Sequence, residues 1–175
     1  MMEAPKQDKE VFKGKLFAVK HIQKILPDGK QKTFELVDLQ DAVTILAIDE
    51  NENVILVEQF RIGANKSLLE LPAGKVEAGE DPLAAARREL REETGLDAQE
   101  FIHLGNFYMS PGYASEYMHC YLARGLFSAP LTPDADEFIE PQRIALDQLT
   151  RSIAQGKIED SKTLAAFALA KARKE

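Results

Sequence analysis

The chain has 175 residues, 22 basic and 29 acidic side chains, and a formal net charge of −7. That length favours one domain, read as 11–175 after a flexible 1–10, and suffices to bury a core without covalent staples. An acidic chain lacks the broad positive surface that nucleic acids and anionic membranes require, so neither is expected as a partner. The single cysteine, Cys120, excludes an intrachain disulfide and a cysteine-based zinc cluster.

The N-terminal stretch MMEAPKQDKE carries no apolar core of a signal peptide. No apolar run approaches the ~20 residues of a membrane span. The cytoplasm is the expected compartment. Lys15–Val37 alternates weakly around Pro27-Asp28-Gly29 and reads as a hairpin. Val43–Ile48 and Val54–Phe60 are β-branched runs joined by a polar turn at 49–53, which predicts buried strands. Leu68–Leu71 reads as a short strand, and Pro72-Ala73-Gly74 as the start of a loop.

Asp81–Thr94 predicts a helix, with Asp81 as its cap, Pro82 in its first turn and Gly95 just past its end. Leu83, Ala86 and Leu90 recur at helical spacing and form its expected apolar face. Phe101–Tyr108 and Tyr117–Leu122 read as strands. Ile144–Gln155 and Lys162–Arg173 read as helices, the second capped by Asp160 or Ser161. Strands and helices mix without strict alternation, so the expected class is α/β with a mixed sheet. Cys120 lies in an alternating run and reads as a buried, inert thiol. His21, His103 and His119 lack metal-ligand spacing and read as structural or exposed.

The chemistry concentrates on the first helix. Glu89, Glu92 and Glu93 are spaced i, i+3, i+4 and share one face. That face lies roughly 100° from the apolar stripe, at ~3.6 residues per turn. Three carboxylates so close repel each other unless cations neutralise them, and Mg²⁺ is a hard ion that takes oxygen ligands and bridges carboxylates to phosphates. Arg87, Arg88 and Arg91 are available to neutralise part of the cluster, and Glu80 in the preceding loop can join it.

Gly74, five residues, Glu80, seven residues, then Arg88-Glu89-Leu90-x-Glu92-Glu93-x-Gly95-Leu96 matches the Nudix box at every position. The chain therefore resembles Nudix hydrolases. The resemblance implies an α/β/α sandwich, here with an N-terminal β-hairpin extension, and hydrolysis of nucleoside diphosphates linked to another moiety with Mg²⁺ or Mn²⁺. The flanks resemble the ADP-ribose pyrophosphatase and nucleoside diphosphate sugar branch. They are Val57-Glu58-Gln59-Phe60-Arg61, Leu69-Glu70-Leu71-Pro72, and Ser110-Pro111-Gly112-Tyr113-x-x-Glu116, with Pro111 16 residues after Gly95. Two features depart from it. Tyr113 stands where diadenosine polyphosphate hydrolases carry a tyrosine, and Thr33-Phe34-Glu35 has Phe34 where that branch commonly has arginine.

From this resemblance, Glu89, Glu93, Glu80 and the Ala73 carbonyl are the expected metal ligands. Glu137, Glu92 and Arg88 form the expected catalytic set, with Glu137 on a late acidic loop as the base. Arg61, Glu116, Phe17, Phe34 and Pro111 are the expected substrate contacts: Arg61 for a phosphate, Glu116 for the terminal sugar, Phe17 and Phe34 for base stacking. The expected substrate is ADP-ribose or a related nucleoside diphosphate sugar. The expected assembly is a homodimer that uses 11–40. The alternatives are another nucleotide substrate (diadenosine polyphosphate, coenzyme A or a damaged nucleotide) and a non-catalytic nucleotide-sugar sensor, which the intact box disfavours.

Overall fold

The computed structural model describes residues 8–132 and 139–173. Its contacts form two compact units: one runs up to Asp41 and includes Tyr108–Tyr117, and the other holds Ala42–Phe107 and the chain from Met118 onward.

In the first unit, β1 (Lys9–Lys13), β2 (Ala18–Ile25) and β3 (Gln31–Asp38) form an antiparallel sheet in chain order. The predicted hairpin is β2–β3, with Ile22 opposite Phe34. Its turn closes through Gly29 N–H to Leu26 O at 2.8 Å, and Gly29 takes φ +82°, a value an L side chain rarely adopts. Lys9 and Glu10, read as part of a loose N-terminus, instead open β1. Every residue of β1 is exposed, so no burial pattern announced it, and its order comes from backbone pairing with β2. At the end of β3 the chain bonds residues 113–115 of the same unit: Val37 N–H to Tyr113 O at 2.8 Å, and Leu39 N–H to Ser115 Oγ at 2.8 Å.

The second unit is built around a four-stranded sheet ordered β7 (Ala73–Lys75), β4 (Ala42–Ala47), β9 (Tyr117–Ser128), β8 (Leu96–Tyr108), in which β4 and β9 run parallel. All of β4 is buried, as its apolar run predicts. Its side chains alternate between two cores. Val43, Ile45 and Ala47 meet Ala85, Ala86 and Leu90 of α1 (Pro82–Thr94). Leu46 and Ile48 meet Leu149 of α2 (Leu146–Ala154) and Ala166 of α3 (Ser161–Ala172). Helices thus cover both faces of a mixed sheet, the expected α/β/α sandwich. A second sheet, β10 (Glu140–Ala145), β5 (Asn53–Arg61), β6 (Lys66–Glu70), is antiparallel. Cys120 is fully buried in the second core, and burial pushes its thiol up to about 12, which keeps it protonated and inert as expected.

Several boundaries differ from the sequence reading. Ala73–Lys75 is not free loop but a short strand paired with Ala42–Thr44. Strand β8 begins at Leu96 rather than Phe101 and so takes in the buried Asp97 and Ala98, and β9 continues past Leu122 to Ser128. Ile144 and Ala145, expected in a helix, end β10 opposite Val54 and Asn53, and α2 starts afterwards without a side-chain cap.

Helix α1 follows its sequence signals. Asp81 Oδ1 accepts from Leu83 N at 2.9 Å and Ala84 N at 3.3 Å, and Gly95 in the left-handed region at φ 71° closes the C-terminus onto Arg91 O. Replacing Asp81 by Ala leaves these amide donors without their side-chain acceptor. The expected cost is ~1 kcal/mol, a fall in Tm of ~2–4 °C for a chain of this size. A thermal melt checks it, and an unchanged Tm contradicts the cap's contribution.

Candidate active site

The apolar stripe and the acidic face of α1 are not separate, contrary to their expected angular offset. Ala85, Ala86, Leu90, Glu89 and Glu93 are its buried residues, whereas Leu83, expected inside, is 39% exposed. The helix is rolled so that two carboxylates enter the interior at 8% (Glu89) and 5% (Glu93) exposure. A buried charge is tolerated only with partners, and β7 helps supply them. Glu93 Oε2 accepts the Ala73 N–H at 3.0 Å. Gly74 lies directly against Glu89: a Cβ built on it would sit 2.0 Å from Cδ and 2.1 and 2.3 Å from the carboxylate oxygens. The glycine is thus required here for the absence of a side chain.

Arg88 joins the remaining carboxylates. Its Nε and Nη2 fork onto Glu80 at 3.0 and 2.9 Å, Nη1 donates to Glu89 at 2.6 Å and to Glu92 at 3.0 Å, and Nη2 also reaches Lys75 O at 2.9 Å. The guanidinium is raised above its ordinary value chiefly by the Glu80 bond, and Glu80 is lowered below the usual carboxylate range by the same bond. A lowered carboxyl stabilises the fold above its unfolded pKa of ~4.3, and that contribution is lost as pH falls through its folded value. Arg87 and Arg91, considered as further neutralising charges, are engaged elsewhere: Arg87 pairs with Asp97 at 2.7 Å and Arg91 bonds Ala129 O at 2.8 Å. Arg88 thus bonds Glu80, Glu89 and Glu92 together, with Glu93 adjacent on the helix.

The donor set suits a hard divalent cation: clustered carboxylates, two of them buried, exceed the positive charge among them. Among the described residues no three His, Cys, Asp or Glu side chains converge into a ready-made cation cage. Arg88 is instead the group that gathers them.

Arg61, expected to hold a phosphate, ends β5 in a fork to Glu70, with Nε to Oε1 at 2.8 Å and Nη2 to Oε2 at 2.7 Å. This bond, foremost among the causes, raises the guanidinium above its ordinary value; Glu93 and Asp160 add to it through space. Glu70 is fully buried and also takes Nζ of Lys162, itself 7% exposed. Lys162 reaches Asp160 at 2.9 Å; Asp160 caps α3 through Thr163 N at 2.9 Å and accepts the Thr163 hydroxyl at 2.6 Å. Thr163 Oγ1 in turn accepts the Leu71 N–H at 2.9 Å. Sequence reasoning missed this network as a site element. The signal available was Glu70, an acid inside the apolar run Leu68–Leu71, which must find a partner if the run is buried.

Phe17, Phe34, Pro111 and Glu116 belong to the first unit. Phe17 is 40% exposed and packs on Phe12 at 5.7 Å between ring centroids. Phe34 is 38% exposed beneath the Lys32 ammonium. Pro111 is exposed in a turn closed by Ala114 N–H to Ser110 O at 2.9 Å, and the Glu116 carbonyl accepts the Met109 N–H at 3.2 Å. Glu137 lies outside the described residues.

Comparison with known proteins agrees with this geometry. The NUDIX domain family model matches residues 38–167, which include the carboxylate helix, Arg61 and Glu70. A methanol dehydrogenase activator of Bacillus methanolicus is 38% identical over 159 residues, covering 90% of this chain and 86% of that protein. An ADP-ribose pyrophosphatase of Bacillus subtilis is 36% identical over 156 residues, covering 88% and 84%. A solved structure described as an ADP compounds hydrolase superposes with a TM-score of 0.85 over 96% of this chain and 91% of that one; at 24% identity it speaks for the fold. With the box carried on α1, its glycine against Glu89, and the family match spanning most of the chain, the protein belongs to the Nudix hydrolase superfamily, close to its ADP-ribose and nucleoside diphosphate sugar pyrophosphatases, and is a pyrophosphohydrolase acting on a nucleotide or nucleotide-sugar substrate.

Proposed function

We propose that the protein hydrolyses the pyrophosphate bond of ADP-ribose and related nucleoside diphosphate sugars, releasing a nucleoside monophosphate and a sugar phosphate. The observation that carries this reading is the buried Glu89–Glu93 pair set against Gly74 and Ala73, together with the B. subtilis relative. Glu89, Glu93, Glu80 and the Ala73 carbonyl hold Mg²⁺ or Mn²⁺, which when bound offsets charge on the phosphoryl oxygens. Arg88 keeps Glu80, Glu89 and Glu92 from repelling one another and orients them. Arg61 offers its guanidinium to a phosphate. Glu137 takes the proton of the attacking water, a role that rests on resemblance alone, as do the substrate contacts of Phe17, Phe34, Pro111 and Glu116.

Product analysis tests the reading: ADP-ribose, ADP-glucose, GDP-mannose, diadenosine polyphosphates and coenzyme A, each with Mg²⁺ and with EDTA. The expected result is EDTA-sensitive release of AMP and ribose 5-phosphate from ADP-ribose. Comparable cleavage of several nucleotide sugars means that Phe34, in place of an arginine, accompanies a broader site. Preference for diadenosine polyphosphates or coenzyme A overturns the substrate. A second reading, binding without turnover to act on a partner enzyme, draws on the name of the B. methanolicus relative; ADP-ribose binding with no cleavage selects it. The chain is also proposed to work as a homodimer through 11–40, where Val11, Phe12, Leu16 and Phe17 are exposed. Sedimentation of a monomer at micromolar concentration overturns that assembly.

A further inference from the structure

Lys162 and Glu70 are buried ionised side chains for which the proposed reaction has no use, and burying charge is unfavourable unless it accomplishes something in the fold or the site. Their placement assigns them a task. Glu70 grips the Nε and Nη2 edge of Arg61 and leaves Nη1 without a partner among the described residues. The Arg61 side chain is 40% exposed, while that of Glu70 is 0% exposed. The guanidinium is therefore anchored from within and open from without, the arrangement that presents a fork to an anion. Lys162 bonds the same Oε2 that Arg61 uses, which pins the carboxylate on which Arg61 is anchored. Asp160 and Thr163 hold Lys162 and the Leu71 backbone in place. From Leu71 the chain runs through Pro72 to Ala73, whose N–H meets Glu93.

We propose that Lys162, acting through Glu70, is a positioning residue that keeps Arg61 oriented for a diphosphate ligand. This rests on the phosphate role given to Arg61 above. It concerns how the ligand is held rather than how it is cleaved, so its signature is in affinity.

The test is a double-mutant cycle on the full chain with Lys162→Met and Arg61→Lys. It is read by KM and kcat for ADP-ribose, and by the Kd of inorganic pyrophosphate measured by titration calorimetry without metal. Lys162→Met is expected to raise KM and the pyrophosphate Kd by about tenfold or more, as loss of one member of a desolvated charge pair does. The change in kcat should be smaller. Lys162→Arg should restore most of the affinity. In the Arg61→Lys background Lys162→Met should have little further effect, because coupled residues are not additive. A purely structural lysine would lower Tm while leaving KM and Kd unchanged, or would exert its full effect in both backgrounds, and either result overturns the proposal. If Lys162→Met does not fold, Glu70→Gln, which keeps shape and removes charge, takes its place in the same cycle with the same weakened affinity expected. If the wild-type protein cleaves no nucleotide sugar, the substrate reading fails by itself, and the pyrophosphate titrations still decide this one.

Discussion

Glu93→Gln is expected to lower kcat by ~10²–10³-fold while leaving the fold intact. The size follows from the several kcal/mol of charge stabilisation that a bound divalent ion contributes to phosphoryl chemistry, at 1.36 kcal/mol per tenfold. The fold should survive because glutamine keeps the volume of a side chain that is 5% exposed, and its amide oxygen can still accept the Ala73 N–H at the 3.0 Å now spanned by Oε2. What is lost is the negative charge. Circular dichroism and a thermal melt establish the fold, and initial rates in saturating Mg²⁺ establish the effect. A near-wild-type kcat there would remove Glu93 from the metal site.

Gly74→Ala should be nearly as damaging to turnover, for a steric reason that no charge argument supplies. The new methyl would lie 2.0 Å from Glu89 Cδ, far inside contact distance, so one of the two must move. The β7 backbone is paired to β4 through the Val43–Gly74 register and resists displacement. The Glu89 carboxylate is the far end of a flexible side chain and yields. The structural cost should therefore stay at or below the ~1–3 kcal/mol of an overpacked site, whereas kcat should fall by ~10²-fold, because misplacing a catalytic group by about an ångström is enough for that loss. A cycle with Glu89→Gln identifies the route: if the methyl acts by displacing Glu89, the two changes together should cost little more than the larger alone. Fully additive losses would show that Gly74 matters for another reason.

Both outcomes depend on a helix whose existence was plain from sequence and whose roll was not. The Asp81 cap, Pro82 and Gly95 are local signals, each satisfied by bonds within a few residues, and all three stand where they were expected. Angular spacing of Glu89, Glu92 and Glu93 correctly placed them on one face. It could not say which side of that face turns inward, because the roll is decided by what the helix packs on. Here Gly74 leaves room for the Glu89 carboxylate and the Ala73 N–H donates to Glu93 at the helix–strand seam, so Glu89 and Glu93 are buried and Leu83 is left outside.

The same division runs through the rest of the molecule. Apolar runs at Val43–Ile48 and Val54–Val57 were legible as strands because burial on both faces leaves a continuous apolar sequence, whereas the end of the second run, Glu58 and Phe60, is exposed. Strand β1, exposed along its length, and β7, three residues of Ala-Gly-Lys, carry no such pattern and exist through backbone pairing with distant segments. A spaced motif sufficed to identify the superfamily, since its residue types and intervals are written along one stretch of chain. The alliance of Arg61 with Glu70 and of Glu70 with Lys162 spans up to 92 residues of sequence. Local periodicity and local capping thus made α1 and the buried strands legible, and the spaced motif set the carboxylates on one stretch of chain. Only the tertiary structure decided which charges meet, which are buried and which cation is shared, because those depend on contacts that arise when remote segments pack together.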